Sequence, residues 1–351
     1  MQRSVTCFDA VLIDPSVPAR HGRGMGALLA SLTKRQVGRG CGMNCRLTLA
    51  ATVLVVCPPA LSAPPGDTKA ITDCGAVISQ PGKYRLANDL LACPEFAITI
   101  AASGVSLDLA GNEIRCARED NRFDIGIEVL DVERVEIRNG RVSNCDSGVD
   151  LFGTRHSKVS NMVLHGNLLD PFFGGFGISG FEASNNTIVG NDASGNTTGI
   201  ELFFGTGNRI MDNIANGNVR AENSPFFPSF GVGIGIAFSN DNEVIDNETS
   251  RNSDAGIALA NGSTGNVVRD NRANDNDNYG IGAFSREDVG APLAVGNLIQ
   301  SNTALGNGRA DLLEAKFDPF ASPRELVQDT CMNTWKDNVF VSQIAPPDCI
   351  Q

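Results

Sequence analysis

The sequence predicts an all-β solenoid, in which short strands coil and each turn of the chain stacks on the one before. Three observations predict it. Gly-aliphatic steps recur at Gly126-Ile127, Gly148-Val149, Gly177-Ile178, Gly199-Ile200, Gly233-Ile234, Gly256-Ile257 and Gly280-Ile281, with a period near 22 residues that two insertions stretch. Asparagines follow in pairs five apart: Asn191/Asn196, Asn213/Asn218, Asn247/Asn252, Asn271/Asn276 and Asn302/Asn307. Asn139/Asn144 fits the same spacing, and Asn161/Asn167 fits with one extra residue. The apolar runs between them, such as Ile210-Met211, Val244-Ile245 and Val267-Val268, are short and bounded by Gly, Asn, Asp and Ser. Self-similarity at such a period is the mark of a repeat architecture.

Within one unit, no apolar pattern at i, i+3, i+4, i+7 is long enough for a helix pair. Short β-branched runs between turn residues read as strands, with Gly and Asn expected to supply positive-φ corners. One rung cannot bury its apolar face alone, so stacked rungs must share a core. Asparagines at one corner would then stand about 4.8 Å above one another, close enough for their amides to bond.

The units Gly199-Ile200-Glu201-Leu202 through Asn213 and Gly256-Ile257-Ala258-Leu259 through Asn271 resemble a known repeat. It is the right-handed parallel β-helix repeat of pectate-lyase-like (pectin lyase-like) polysaccharide enzymes, and of periplasmic proteins linked to copper and nitrous-oxide metabolism. The resemblance runs from about Ile98 to Phe340. It implies a single-stranded right-handed parallel β-helix of about ten rungs with N- and C-terminal caps. The caps are expected over 64–97 and 316–351, and the repeats over 98–315.

Residues 1–63 stand apart. Met43-Asn44-Cys45-Arg46, the apolar run Leu47 to Val56 and the small-residue stretch Ala60-Leu61-Ser62-Ala63 read as a secretory signal peptide, with Met43 as the expected start. The apolar run is too short to cross a bilayer. Without the leader the net charge moves from −12 to −17, which argues against nucleic acid and anionic membranes as partners. Six cysteines remain, an even number that suits disulfides in a secreted or periplasmic chain. Sequence order favours Cys74–Cys93, Cys116–Cys145 and Cys331–Cys349 among the 15 pairings that six cysteines allow. A monomer is expected.

In each Gly-Ile-x-Leu strand, alternation turns Ile and Leu inward and x outward. Reading x through the rungs gives Glu128, Asp150, Ser179, Glu201, Gly235, Ala258 and Gly282. Stacking places Glu128 about 5 Å from Asp150, and Asp150 about 10 Å from Glu201. Such carboxylates could bind Ca²⁺ or act as an acid/base pair; the plainer reading is a solvated acidic stripe. Insertions Leu168–Phe176 and Glu222–Phe230 both carry Pro-Phe-Phe and enter two rungs apart. Phe172, Phe173, Phe226 and Phe227 are therefore expected beside this face as sugar contacts, or else packed on the coil. Arg155 could neutralise a sugar carboxylate, or be an ordinary turn residue. His156, His165 and Met162 could be imagined as one copper site, in keeping with the copper-linked relatives.

The resemblance implies an exported protein that binds or processes an extended polysaccharide on its outer sheet face, in a lyase-, hydrolase- or epimerase-like way. The local catalytic signatures of the pectinase, pectate-lyase and alginate-epimerase families are missing from the sequence. The alternative is a non-catalytic module that binds a glycan, a partner or a metal.

Overall fold

The computed structural model describes residues 67–117, 123–168, 175–220, 231–286, 290–317, 325–326 and 330–351. These form a right-handed parallel β-helix with two long sheets. The first, here the Gly-Ile sheet, stacks Ala76–Ile78, Phe96–Ile100, Ile125–Leu130, Ser147–Phe152, Phe176–Phe181, Thr198–Phe203, Val232–Ala237, Ala255–Ala260, Tyr279–Arg286 and Ala310–Phe317 in parallel. The second carries the short strand that follows in each rung, for example Thr187–Val189, Arg209–Met211 and Glu243–Ile245. Single-residue bridges join the rungs at the two corners between sheets. Residues 67–97 contribute strands that pair in parallel with the next rung, and Glu325–Leu326 returns antiparallel against Lys316–Phe317.

Inward side chains stack in rows. Ile127, Val149, Ile178, Ile200, Ile234, Ile257, Ile281 and Leu312 form one row from the Gly-Ile sheet, and all are fully buried. Ile137, Ile188, Ile210, Val244, Val268 and Ile299 form the facing row. The recurring glycine has a different role from the one the sequence suggested. From Gly126 to Gly256 none of these glycines sits at positive φ; instead, a Cβ on each would stand 2.6 ± 0.1 Å from the carbonyl oxygen of the next rung's glycine. Gly233→Ala should therefore cost about 2–3 kcal/mol, since the opposing groups are backbone and the buried Thr249 side chain. A urea-denaturation midpoint equal to that of the wild type would remove this account.

Asparagine ladders run along three corners, where the spacing had shown two. Asn186, Asn208, Asn242, Asn266, Asn297 and Asn333 form the one that sequence reading missed. The others run from Asn191 to Asn338 and from Asn167 to Asn307. At nearly every step the backbone N–H and the side-chain Nδ2 both donate to Oδ1 of the next asparagine; at Asn196 the N–H alone does so. The positive φ falls on the residue before, such as Gly190, Asp212, Asp246 and Asp270 ahead of Asn191, Asn213, Asn247 and Asn271. Asn139, Asn144 and Asn161 themselves adopt positive φ, so they are not ladder members. The ladder positions there belong to Cys145 and Met162, whose N–H groups donate to Asn167 and Asn191.

Disulfides join Cys74 to Cys93, Cys116 to Cys145 and Cys331 to Cys349. Two lie in the first rungs and one at the far end, where sheet edges would otherwise be open. Among the described residues, no helix is long and apolar enough to cross a membrane. The expected signal peptide lies outside the described residues.

Candidate functional site

The outer face of the Gly-Ile sheet is built from three columns. Register aligns Thr99, Glu128, Asp150, Ser179, Glu201, Gly235, Ala258 and Gly282 in the middle column. Two residues further along each strand stand Leu130, Phe152, Phe181, Phe203, Ala237, Ala260 and Phe284. The strand-opening residues Ser147, Phe176, Thr198, Val232, Ala255 and Tyr279 make the third column.

Polar residues occupy the N-terminal half of this face. Ser179 Oγ donates to Asp150 Oδ1 at 2.7 Å, and Ser147 Oγ lies 3.1 Å from Ser179 Oγ. Thr99 Oγ1 donates to Glu128 Oε2 at 3.3 Å. Glu201 lies over Gly235, where a Cβ would overlap its carboxyl group. Sequence reading missed Ser147, because it precedes the glycine and falls outside the Gly-Ile-x-Leu pattern.

The solvated stripe expected from the sequence is not what the structure shows. Glu128 is 7% exposed and Glu201 2%, while Asp150 keeps a little more surface. Burial pushes the Asp150 carboxyl up to about 6, although the Ser179 hydroxyl pulls the other way. Burial alone pushes Glu201 up to about 8. Of the two carboxyls, two rungs apart in the same column, Glu201 therefore holds its proton more tightly than Asp150.

An aromatic run flanks the carboxyls. Phe152 stacks on Phe181 with ring centres 5.3 Å apart, Phe181 meets Phe204 edge-on at 5.4 Å, and Phe204 stacks on Phe238 at 5.2 Å. Phe204 is half exposed. The signal for part of this run was available, since Phe152 and Phe181 stand two residues after Asp150 and Ser179 on alternating strands. Toward the C-terminus the face turns apolar, with Val232, Ala255, Ala258, Tyr279, Phe284 and Leu313 in one buried cluster. There the Tyr279 hydroxyl donates to Glu325, which also pairs with Arg309 at 2.7 Å.

The other predicted residues lie elsewhere. Phe172, Phe173, Phe226 and Phe227 lie outside the described residues, but their segments rejoin the chain at Gly175 and Gly231, directly before strands of this face. Arg155 is exposed at the corner between the sheets, bridged to Glu133 and Ser184, and is not on the carboxylate face.

A family model described as periplasmic copper-binding protein (NosD) matches residues 105–310. The chain belongs to this family. Together with the three disulfides, NosD membership marks an exported protein. Among solved structures, the periplasmic alginate epimerase AlgG is 13% identical, covering 74% of this chain and 72% of its own, with a TM-score of 0.46. The alginate lyase from Paenibacillus sp. str. FPU-7 is 13% identical, over 80% of this chain and 99% of its own, with a TM-score of 0.47. The Dettilon tailspike protein (gp208) is 16% identical, over 81% of this chain and 52% of its own, with a TM-score of 0.49. Curated protein sequences gave no match.

Copper, which the NosD description implies, does not fit the donor set among the described residues. Met162 is buried in the core, His156 precedes the strand Lys158–His165, and His165 ends it beside Asp192 at 3.0 Å. These three donors do not converge, and the six cysteines are oxidised in pairs. No group of three His, Cys, Asp or Glu side chains gathers as a metal cluster among the described residues.

Proposed function

We propose that this NosD-family protein binds and processes an extended polysaccharide along the outer face of the Gly-Ile sheet. One observation carries the reading: Asp150 and Glu201 share a column but differ in proton affinity, beside a run of stacked phenylalanines. Aromatic faces stack on sugar rings, and a sugar chain extended along the coil axis would follow the Phe152–Phe238 run. Glu201, which holds its proton more tightly, is assigned the acid that protonates a leaving oxygen. Asp150, held by Ser179, is assigned the base. At about 10 Å, two rungs of separation leave room for a water or a sugar carbon between them. Glu128 and Asp150 offer oxygen ligands to a Ca²⁺ ion. The Pro-Phe-Phe segments are assigned further substrate contacts, while Arg155, at the corner, lies off this face.

The test is turnover. Protein beginning near Pro64 is incubated with polyuronates and neutral polysaccharides, with and without Ca²⁺, following unsaturated products and new reducing ends. Asp150→Asn and Glu201→Gln should each lower the rate by at least a hundredfold while leaving polysaccharide binding nearly intact. Turnover that survives both substitutions would end the acid/base assignment. A second reading, a module that binds a glycan or partner without turning it over, is favoured by the burial of Glu128 and Glu201. Binding without products from any substrate would select it.

A further inference from the structure

We propose a second ligand site, on the far side of the corner from the carboxylate column, that takes a tetrahedral oxyanion of the phosphoryl or sulfo class. A surface depression of about 420 Å³ is lined by Arg134, Val135, Glu136, His156, Ser157, Lys158, Asn185 and Thr187. Its donors come from three consecutive rungs. Register places Arg134, His156 and Asn185 in one column at the corner, all with positive φ. Glu136, Lys158 and Thr187 form the next column, on the adjoining strands.

Electrostatics make the depression available to an anion. Glu136 is the natural partner for Lys158, its neighbour on the adjoining strand. Its Oε2 is instead taken by Arg138 at 2.5 Å and by Ser106 at 3.0 Å. Arg138 is held from the other side by Asp108 at 3.1 Å, so this network is closed on itself. The Lys158 ammonium is left exposed and unpaired among the described residues, as are the guanidinium of neighbouring Arg155 and the imidazole of His156. Arg134 pairs with Glu133 at 2.5 Å, but both are partly in water and the guanidinium has further N–H groups to offer. On a chain carrying −12 overall, Arg134, Arg155 and Lys158 make this a local gathering of positive charge.

The neutral donors narrow the ligand. The Asn185 amide and the Thr187 hydroxyl, one rung on, add polar groups that engage no other side chain among the described residues. Cations with an amide and a hydroxyl, on three levels about 4.8 Å apart, suit an acceptor with three or more oxygens pointing in different directions. A planar carboxylate presents two oxygens in one plane and would leave donors unused.

Site-resolved lysine acylation tests this on the exported chain. Inorganic phosphate, glucose 6-phosphate and glucuronate are the probes, and Lys83 and Lys336 the internal references. Phosphate or glucose 6-phosphate should slow labelling of Lys158 at least fivefold, without changing the references. Protection by both would show that the free ion suffices, and protection by the sugar phosphate alone would show that an ester is needed. Arg134→Gln/Lys158→Gln, checked for an unchanged thermal transition, should weaken glucose 6-phosphate binding at least tenfold by calorimetry; Lys158→Arg should restore most of it. Unprotected Lys158, equal protection by glucuronate, or undiminished binding by the double variant would each overturn the proposal. Asp150→Asn should leave the protection unchanged, so this site and the polysaccharide reading fail separately.

Discussion

Glu201→Gln is expected to make the protein more stable than the wild type above pH 8, by roughly 5 kcal/mol, and to change little at pH 4. The folded state holds the Glu201 proton up to about pH 8, whereas the unfolded chain releases it near the ordinary glutamate value of 4.5. Between those values the native state binds more protons, so stability falls as pH rises, by about 1.4 kcal/mol per unit. The contribution is fully present below pH 4.5 and is lost by pH 8. Asp150 acts the same way over a lower window, from the ordinary aspartate value of 3.8 up to about 6. The wild type should lose stability with two overlapping contributions. Glu201→Gln should flatten the upper part, and Asp150→Asn the lower. Urea midpoints between pH 4 and 9 decide it. Parallel curves for wild type and Glu201→Gln would mean that the Glu201 carboxyl is not desolvated in the folded protein.

The coil was legible because its rule is local and repeated. A glycine followed by an aliphatic residue, seen seven times, left little else for the chain to build. The middle column of Glu128, Asp150 and Glu201 followed from alternation alone, and the register places them as that reading did. Their burial did not follow, because whether an outward side chain meets water depends on what packs over the sheet, which period-2 alternation cannot report. The asparagine reading slipped for a related reason. Asn139 and Asn144 share the five-residue spacing of true ladder members, but φ decides membership, and an asparagine serves as well in the left-handed corner as in the buried rung. The third ladder was legible but overlooked: Asn186, Asn208 and Asn242 stand five residues before Asn191, Asn213 and Asn247, on the other side of the second-sheet strand, and reading the asparagines only as pairs passed over them. The Lys158 depression left no motif, since its donors are residues 134, 156, 158, 185 and 187 and meet only through register.

Interrupting a ladder at its middle should cost far more than altering its end. Asn247 Oδ1 accepts from the Asn213 N–H at 2.9 Å and from Asn213 Nδ2 at 3.0 Å, while its Nδ2 donates to Ile210 O and to Asn271 Oδ1. All of this is buried. Asn247→Ala would remove all four of these bonds, leaving the Asn213 N–H and the Ile210 carbonyl without them out of reach of water, while Asn213 Nδ2 and Asn271 Oδ1 keep one partner each, a loss on the order of 4 kcal/mol. Asn247→Asp should be worse still. It keeps both acceptances but sets an oxygen against the Ile210 carbonyl and Asn271 Oδ1, and it buries a charge. The protein itself shows where a carboxylate belongs. The ladder through Asn307 ends on Asp311, whose Oδ1 accepts from Asn307 and whose Oδ2 accepts the N–H groups of Val341 and Ser342. Those bonds hold the Asp311 carboxyl below its usual range against the opposing effect of burial. The ladder through Asn333 likewise reaches Glu314, which also accepts from Met332 N–H and Trp335 Nε1. A terminal member only needs to accept, because no further rung asks it to donate onward. Asn338, the last member of the Asn247 ladder, still donates to Ile299 O at 2.9 Å, so Asn338→Asp should cost about 1–2 kcal/mol, a fraction of Asn247→Asp. Hydrogen exchange read rung by rung separates the two, with opening centred on rungs 208–271 for Asn247→Asp and confined to the last rung for Asn338→Asp. Equal losses at both positions would show that the ladder is not a directional chain of donors and acceptors.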